Sequence, residues 1–389
     1  MKKGIPEVFQ VSPYFVFFLV HSVQIGVGIL GFQQSLVSAA GNDSWIAVIS
    51  AGIAVHIVIW IIFQLLNRAE MDLIDINRFV FGKWLGSFFS LIWMFYFLSI
   101  GFTILYSYIE VIHVWMFPEA NNILLSILLG VLIVYTILGG FRTVAGICFL
   151  GVVIPAYLIF TFLFPIPYTE IIALFPIWNH DLKDMFLASK EMTLSYLGFS
   201  TLLMYYPFIK EAKTSHKWAQ MGALLTLLTY LLITIISLSY FSEAQLVKQN
   251  WATLTLWKIV EMPVVERFEY IGIASWALII LPNVCLLFWA STRGMKKVLG
   301  TNQKYTLFAL VLLMIILSSF FQKREQVATL SSWTTKVGYY SEFGFVPLLF
   351  LLYLVMSKVR RKKIEEAFVL LAVYYHFYFI RLPKSKNIG

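Results

Sequence analysis

Runs of roughly twenty apolar residues recur along the chain, separated by short polar and charged stretches, from residue 12 to residue 357. A helix of that length crosses a bilayer core about 30 Å thick, so each run predicts one span. Ten are predicted, over residues 12–38, 45–66, 84–112, 122–140, 143–164, 188–209, 218–241, 268–293, 305–321 and 340–357. The pattern therefore predicts an all-α polytopic membrane protein. Two longer connections, "PIPYTEIIALFPIWNHDLKDM" after span 5 and "SEAQLVKQNWATLTLWKIVEMPVVER" after span 7, hold enough apolar residues to form short helices on the membrane surface. Neither is long enough to be a separate soluble domain, and residues 1–358 read as a single transmembrane domain.

Composition agrees with the pattern. Of 389 residues, 60% are hydrophobic and 13% charged, and the mean hydropathy is +0.82, which no soluble domain of that size keeps dispersed in water. Basic residues beside short loops are retained on the cytoplasmic side, and with the N-terminus inside most of the 29 lysines and arginines fall there. Both termini are expected to be cytoplasmic. The net charge of +9 points to the membrane surface rather than to nucleic acid, because "SKVRRKK" at 357–363 follows the last span, where it attracts anionic lipid. Residues 359–389 are expected to form a basic cytoplasmic tail, with "AFVLLAVYYHFYFI" (367–380) lying at the interface. Cys148 and Cys285 fall inside spans 5 and 8 and imply no disulfide framework. The basic start resembles a signal peptide, but the apolar stretch is too long and holds His21 and Gln24, so a retained first span is expected.

Motifs of enzyme chemistry are absent. The sequence has no phosphate-binding glycine loop, no His-Glu-x-x-His, no Gly-x-Ser-x-Gly and no Cys or His cluster at metal-ligand spacing. No catalytic role, metal or cofactor is expected. Of six scattered histidines, only His21 and His56 lie within spans.

Span 1 is interrupted at its centre by "QIGVGILGFQQ" (24–34). A helix breaks at membrane depth only where protein or a water-lined cavity shields the unpaired backbone groups. Gly26 and Gly28 are thus read either as a break whose amides bind an anionic group or as small residues that admit a neighbouring helix. A second interruption weighs toward the break. Span 6, five spans later, reads "SYLGFSTLLMYYP" (195–207), with Ser195, Gly198 and Ser200 near its middle. Paired interruptions at corresponding positions in two halves point to an inverted repeat with its site at the breaks, here 12–164 against 188–357. Five is an odd number, so the second half enters the membrane reversed.

The stretch "QIGVGILGFQQSLVSAAGNDSWIAVISAG" resembles the opening of the spore germination permeases, B subunits of nutrient germinant receptors in the amino acid, polyamine and organocation superfamily. The likeness continues through "NRAEMDLIDINRFVFGKWLG" after span 2, "YSYIEVI" ending span 3 and "RFEYIGIASW" opening span 8. It implies a LeuT-type fold of five-plus-five helices with spans 1 and 6 broken. Two departures stand out. Phe32, Gln33 and Gln34 occupy the place where the family usually has a proline, and Tyr196, Leu197, Gly198 and Phe199 stand where it often has Pro, Gly and Glu. The second removes a carboxylate from the expected pocket.

By this resemblance the chain senses a small nutrient, most often an amino acid, beside an A subunit and a lipoprotein C subunit in the spore inner membrane. The amides around Gly26, Gly28 and Ile29, with Gln24 beside them, are expected to hold the ligand carboxylate. Ser195, Tyr196, Gly198 and Ser200 are expected to form the opposite wall, with Tyr106, Ser275 and Asn283 as further candidates from spans 3 and 8. No Asp or Glu falls centrally in any span by these boundaries, which argues against proton coupling. An ion-coupled symporter, with sodium on carbonyls and hydroxyls at the break, is the alternative, and a ligand-gated channel is a third reading.

Overall fold

A computed structural model describes residues 5–261 and 266–360. The interfacial segment expected at 367–380, and the tail from residue 361, lie outside the described residues.

Span 1 is the helix Phe15–Gln24, a 3₁₀ turn Val27–Leu30 and the helix Gln33–Ala40. Spans 2 to 5 are Ser44–Ala69, Lys83–Trp115, Asn122–Leu138, and Phe141–Val153 continued by the 3₁₀ stretch Ile154–Leu163. Span 6 is a chain of short turns from Thr193 to Phe208, and spans 7 to 9 are His216–Tyr240, Phe268–Leu299 and Gln303–Ser318. Each predicted run is thus helical, and among the described residues no strand forms. Among the described residues, six helical stretches are long and apolar enough to cross a membrane by length and composition.

Span 10 is longer than its apolar run. It begins at Arg324, runs as Arg324–Gly338, loosens into a π turn at Tyr339–Phe345 and continues to residue 360. The sequence expectation placed its start at 340, because "REQVATLSSWTTKVG" carries too many polar residues to read as lipid-facing. Its polar face turns inward instead: Thr334 and Glu342 are buried. The expectation that no carboxylate lies centrally in a span is therefore corrected, since Glu342 is fully enclosed midway along this helix.

Short polar caps start the connecting elements. Asp72 accepts the Asp75 amide at the head of Leu73–Phe81, Asp181 accepts that of Asp184, and Ser242 forms a capping box with Gln245. Both long connections form short helices as expected. One of them, Ala252–Trp257, does not lie on the surface: Ala252, Thr253, Leu254, Leu256 and Trp257 are all buried. It dips into the bundle beside span 1. Spans 3 and 8 cross closely through glycines, with Gly101 against the Phe288 ring and Gly294 against Met94, as small residues allow where helices associate in lipid.

Candidate functional site

The first break is built backbone-first. Ile25 still donates to the His21 carbonyl at 3.1 Å, but Gly26 leaves the helical region, at φ −120° and ψ −147°. The carbonyls thereby freed at membrane depth need donors, and side chains supply them. Asn283 Nδ2 donates to the Ile25 carbonyl at 2.8 Å, Trp276 Nε1 to that of Gly26 at 3.3 Å, and Thr253 Oγ1 to that of Ile29 at 2.7 Å. Asn283 is oriented in turn by Ser22, whose hydroxyl donates to Oδ1 at 3.3 Å. The amides that open the Val27–Leu30 turn have no helical acceptor.

Span 6 breaks because Leu197 is extended and Gly198 is left-handed, at φ +101°. A side chain there is excluded twice, since a Cβ would also stand 2.5 Å from Val23 Cγ2. The two breaks are tied to each other. Gln24 Nε2 donates to the Tyr196 carbonyl at 3.2 Å, and the Tyr230 hydroxyl lies within hydrogen-bond distance of the carbonyls of both Gln24 (3.2 Å) and Ser195 (3.0 Å). Glu342 Oε1 accepts three donors: the Gly198 amide and the Tyr96 hydroxyl at 2.9 Å each, and the Ser200 hydroxyl at 2.6 Å.

Between the breaks lies a cavity of about 260 Å³. Its floor is Gln24, Gly26, Val27, Gly28 and Ser195; its walls are Ile100, Thr103 and Ser107 of span 3, and Val327, Ser331 and Thr335 of span 10. Its mouth is charged. Arg324 lies 3.8 Å from Glu110 and over the Trp251 ring at 4.8 Å from the centroid, and Glu191 also lines the cavity.

Of the residues singled out in the sequence, Gln24, Gly26, Gly28 and Ser195 line this cavity. Ile29, Tyr196, Gly198, Ser200 and Asn283 stand one layer back. Ile29 is held by Thr253, the Tyr196 ring packs against Tyr230 at 5.3 Å, Gly198 and Ser200 hold Glu342, and Asn283 braces the break from behind. Tyr106 and Ser275 are elsewhere: Tyr106 donates to the Met314 carbonyl at 2.6 Å and stacks on Phe321, while Ser275 meets the Tyr157 hydroxyl at 2.6 Å. Sequence reasoning missed Tyr230, Thr103 and the whole span 10 wall. A signal for that wall was present, because Val327, Ser331, Thr335, Gly338 and Glu342 recur at three- to four-residue spacing, which is one helix face.

Residues 10–327 match the family model described as "Spore germination protein". The chain belongs to that family. A relative in Bacillus cereus, the spore germination protein GerQB, is 44% identical over 92% of this chain and 100% of its own length. Two relatives in Bacillus subtilis (strain 168) are more distant: the spore germination protein YndE, at 23% over 88% of this chain and 95% of that one, and the spore germination protein A2, at 22% over 88% and 94%. Among solved structures, a Na⁺-coupled sialic acid symporter in its substrate-bound outward-open state aligns with a TM-score of 0.59 at 12% identity, covering 91% of this chain and 81% of the symporter. MhsT in complex with L-phenylalanine aligns at 0.52 and 14% identity, covering 88% of each chain. Likeness at that identity establishes the fold: this member of the family is a multi-pass membrane protein with the LeuT-type arrangement and broken spans 1 and 6.

Proposed function

We propose that this chain is the nutrient-binding membrane subunit of a germinant receptor and takes an amino acid in the cavity between the two breaks. The observation that carries the reading is the pairing of unspent polar groups on the cavity floor. The turn amides at Gly26, Val27 and Gly28 are donors without helical acceptors, suited to a carboxylate at a helix N-terminus. Gln24, which lines the cavity, spends its amide nitrogen on Tyr196 and leaves a buried Oε1 without a partner, an acceptor for an ammonium group once ligand displaces the packing over it. A zwitterion satisfies both. Membership of a spore germination family and 44% identity to GerQB support a sensor working with A and C subunits in the spore inner membrane, and L-phenylalanine in the MhsT structure supports an amino acid as the class of ligand.

Ligand acts by population shift, favouring the state in which the breaks close about it to the extent of its difference in affinity for the two states. The alternative is an ion-coupled transporter. Sodium coupling is poorly served at the first break, because Asn283, Trp276 and Thr253 direct donors at carbonyls that a cation would need. The test is a time course of radiolabelled amino acids associating with proteoliposomes, across a mixed panel, with and without a sodium gradient. Saturation at a single ligand per protein supports the sensor; accumulation far beyond it makes the protein a transporter.

A further inference from the structure

Glu342 serves no role in ligand contact as described above, yet it is placed with unusual consequence. It is fully enclosed, and no Lys, Arg or His among the described residues pairs with it. Its Oε1 gathers three donors from spans 3 and 6, while Oε2 has no partner at all. An ionised carboxylate buried without a counter-cation is costly, and Oε2 would carry part of that charge with nothing to answer it.

The groups facing it from each neighbouring element offer no compensating charge. Span 3 presents Tyr96 as a donor, span 6 the Gly198 amide and Ser200, and the π turn's own Phe343 packs on Phe199. The nearest cations along these elements are engaged otherwise, Lys190 over the Tyr339 ring and Lys336 over that of Trp333.

We propose that Glu342 is a proton-binding site: it holds a proton on Oε2 while spans 3, 6 and 10 are clasped, and loses it to water when they part. The O–H bond breaks, the proton passes to solvent and the carboxylate remains, now hydrated. Because Leu197, which lines the ligand cavity, packs on Gly338 one turn before Glu342, proton and ligand occupancy share one moving element. By linkage, the factor by which ligand changes the proton affinity of Glu342 is the factor by which the proton changes the affinity for ligand. This second step rests on the ligand reading above; the proton site does not.

Infrared difference spectra of the full chain in lipid nanodiscs, titrated with pH, test it. The expected result is a protonated-carboxyl stretch present at neutral pH in the wild type, absent in Glu342→Gln and shifted in Tyr96→Phe, which removes one donor and keeps the acid. Should Glu342→Gln fail to fold, the Tyr96→Phe shift carries the assignment. A spectrum unchanged by either substitution overturns the proton site. Adding the amino acid panel is expected to move the pH at which the band bleaches. A Glu342 band that stays fixed while an amino acid binds overturns the linkage, whereas a Glu342 band with no amino acid bound at all overturns the ligand reading and leaves the proton site standing.

Discussion

Gly28 and Ser195 are in contact distance across the site: a Cβ on Gly28 would stand 3.2 Å from the Ser195 hydroxyl and 3.4 Å from its Cα. The two broken stretches therefore touch through residues with almost no side chain, and the cavity begins where they diverge. Gly28→Leu fills that space. Its expected effect is loss of amino acid binding in a scintillation proximity assay, with membrane protein levels retained. Gly28→Ala needs only a few tenths of an ångström and is expected to weaken binding without abolishing it. Wild-type binding by the leucine variant would refute the pocket assignment.

Gln24 carries the ammonium side of the proposed contact. Gln24→Leu removes the unpartnered Oε1 together with the bond to Tyr196. A hydrogen bond to a charged group contributes about 1.5–3 kcal/mol, so affinity is expected to fall roughly 10- to 100-fold, as isothermal titration would register. An unchanged affinity would leave Gln24 a purely structural brace.

Asn283 donates to the Ile25 carbonyl, one of the acceptors that a cation at the break would need. Replacing it with Ala orphans a buried acceptor, which costs about 1–3 kcal/mol and is expected to lower the thermal midpoint of the purified protein. In the wild type, replacing sodium with choline is expected to leave ligand affinity unchanged. A sodium-dependent affinity would show that a cation reaches the break despite its side-chain donors.

Gly198→Ala forces a side chain onto a left-handed residue, where the added Cβ would stand 2.5 Å from Val23 Cγ2. The backbone penalty is roughly 1–2 kcal/mol and overpacking adds about 1–3 kcal/mol. Thermal unfolding is expected to shift down accordingly, and pairing it with Val23→Ala is expected to recover the steric part only. Full recovery in the double variant would mean that the backbone conformation is not under constraint.

Span number and the broken pair were legible because both are local: length and apolar content announce a span, and Gly26, Gly28 and Gly198 announce the breaks. Span 10 was not. Its first half is polar, since it faces Glu110, Thr103 and the cavity rather than lipid, and a hydropathy window reads any polar stretch as a loop. The inward burial of Ala252–Trp257 was hidden for a similar reason. Six residues are too few to announce a direction, and Thr253 finds its place only through Ile29 and Gln33, more than two hundred positions away.

The two interruptions are unequal mechanically. Span 1 is pinned at Ile25, Gly26 and Ile29 by three side chains from two separate elements, so displacing it means severing bonds that cannot all be remade elsewhere. Span 6 is joined to Gln24 and Tyr230 through the Tyr196 and Ser195 carbonyls, but beyond Gly198 it is held to span 10 by one carboxyl group on a π turn. Under the proposed function, span 1 is the fixed jaw of the site and span 6, held to span 10 through Glu342, the moving one.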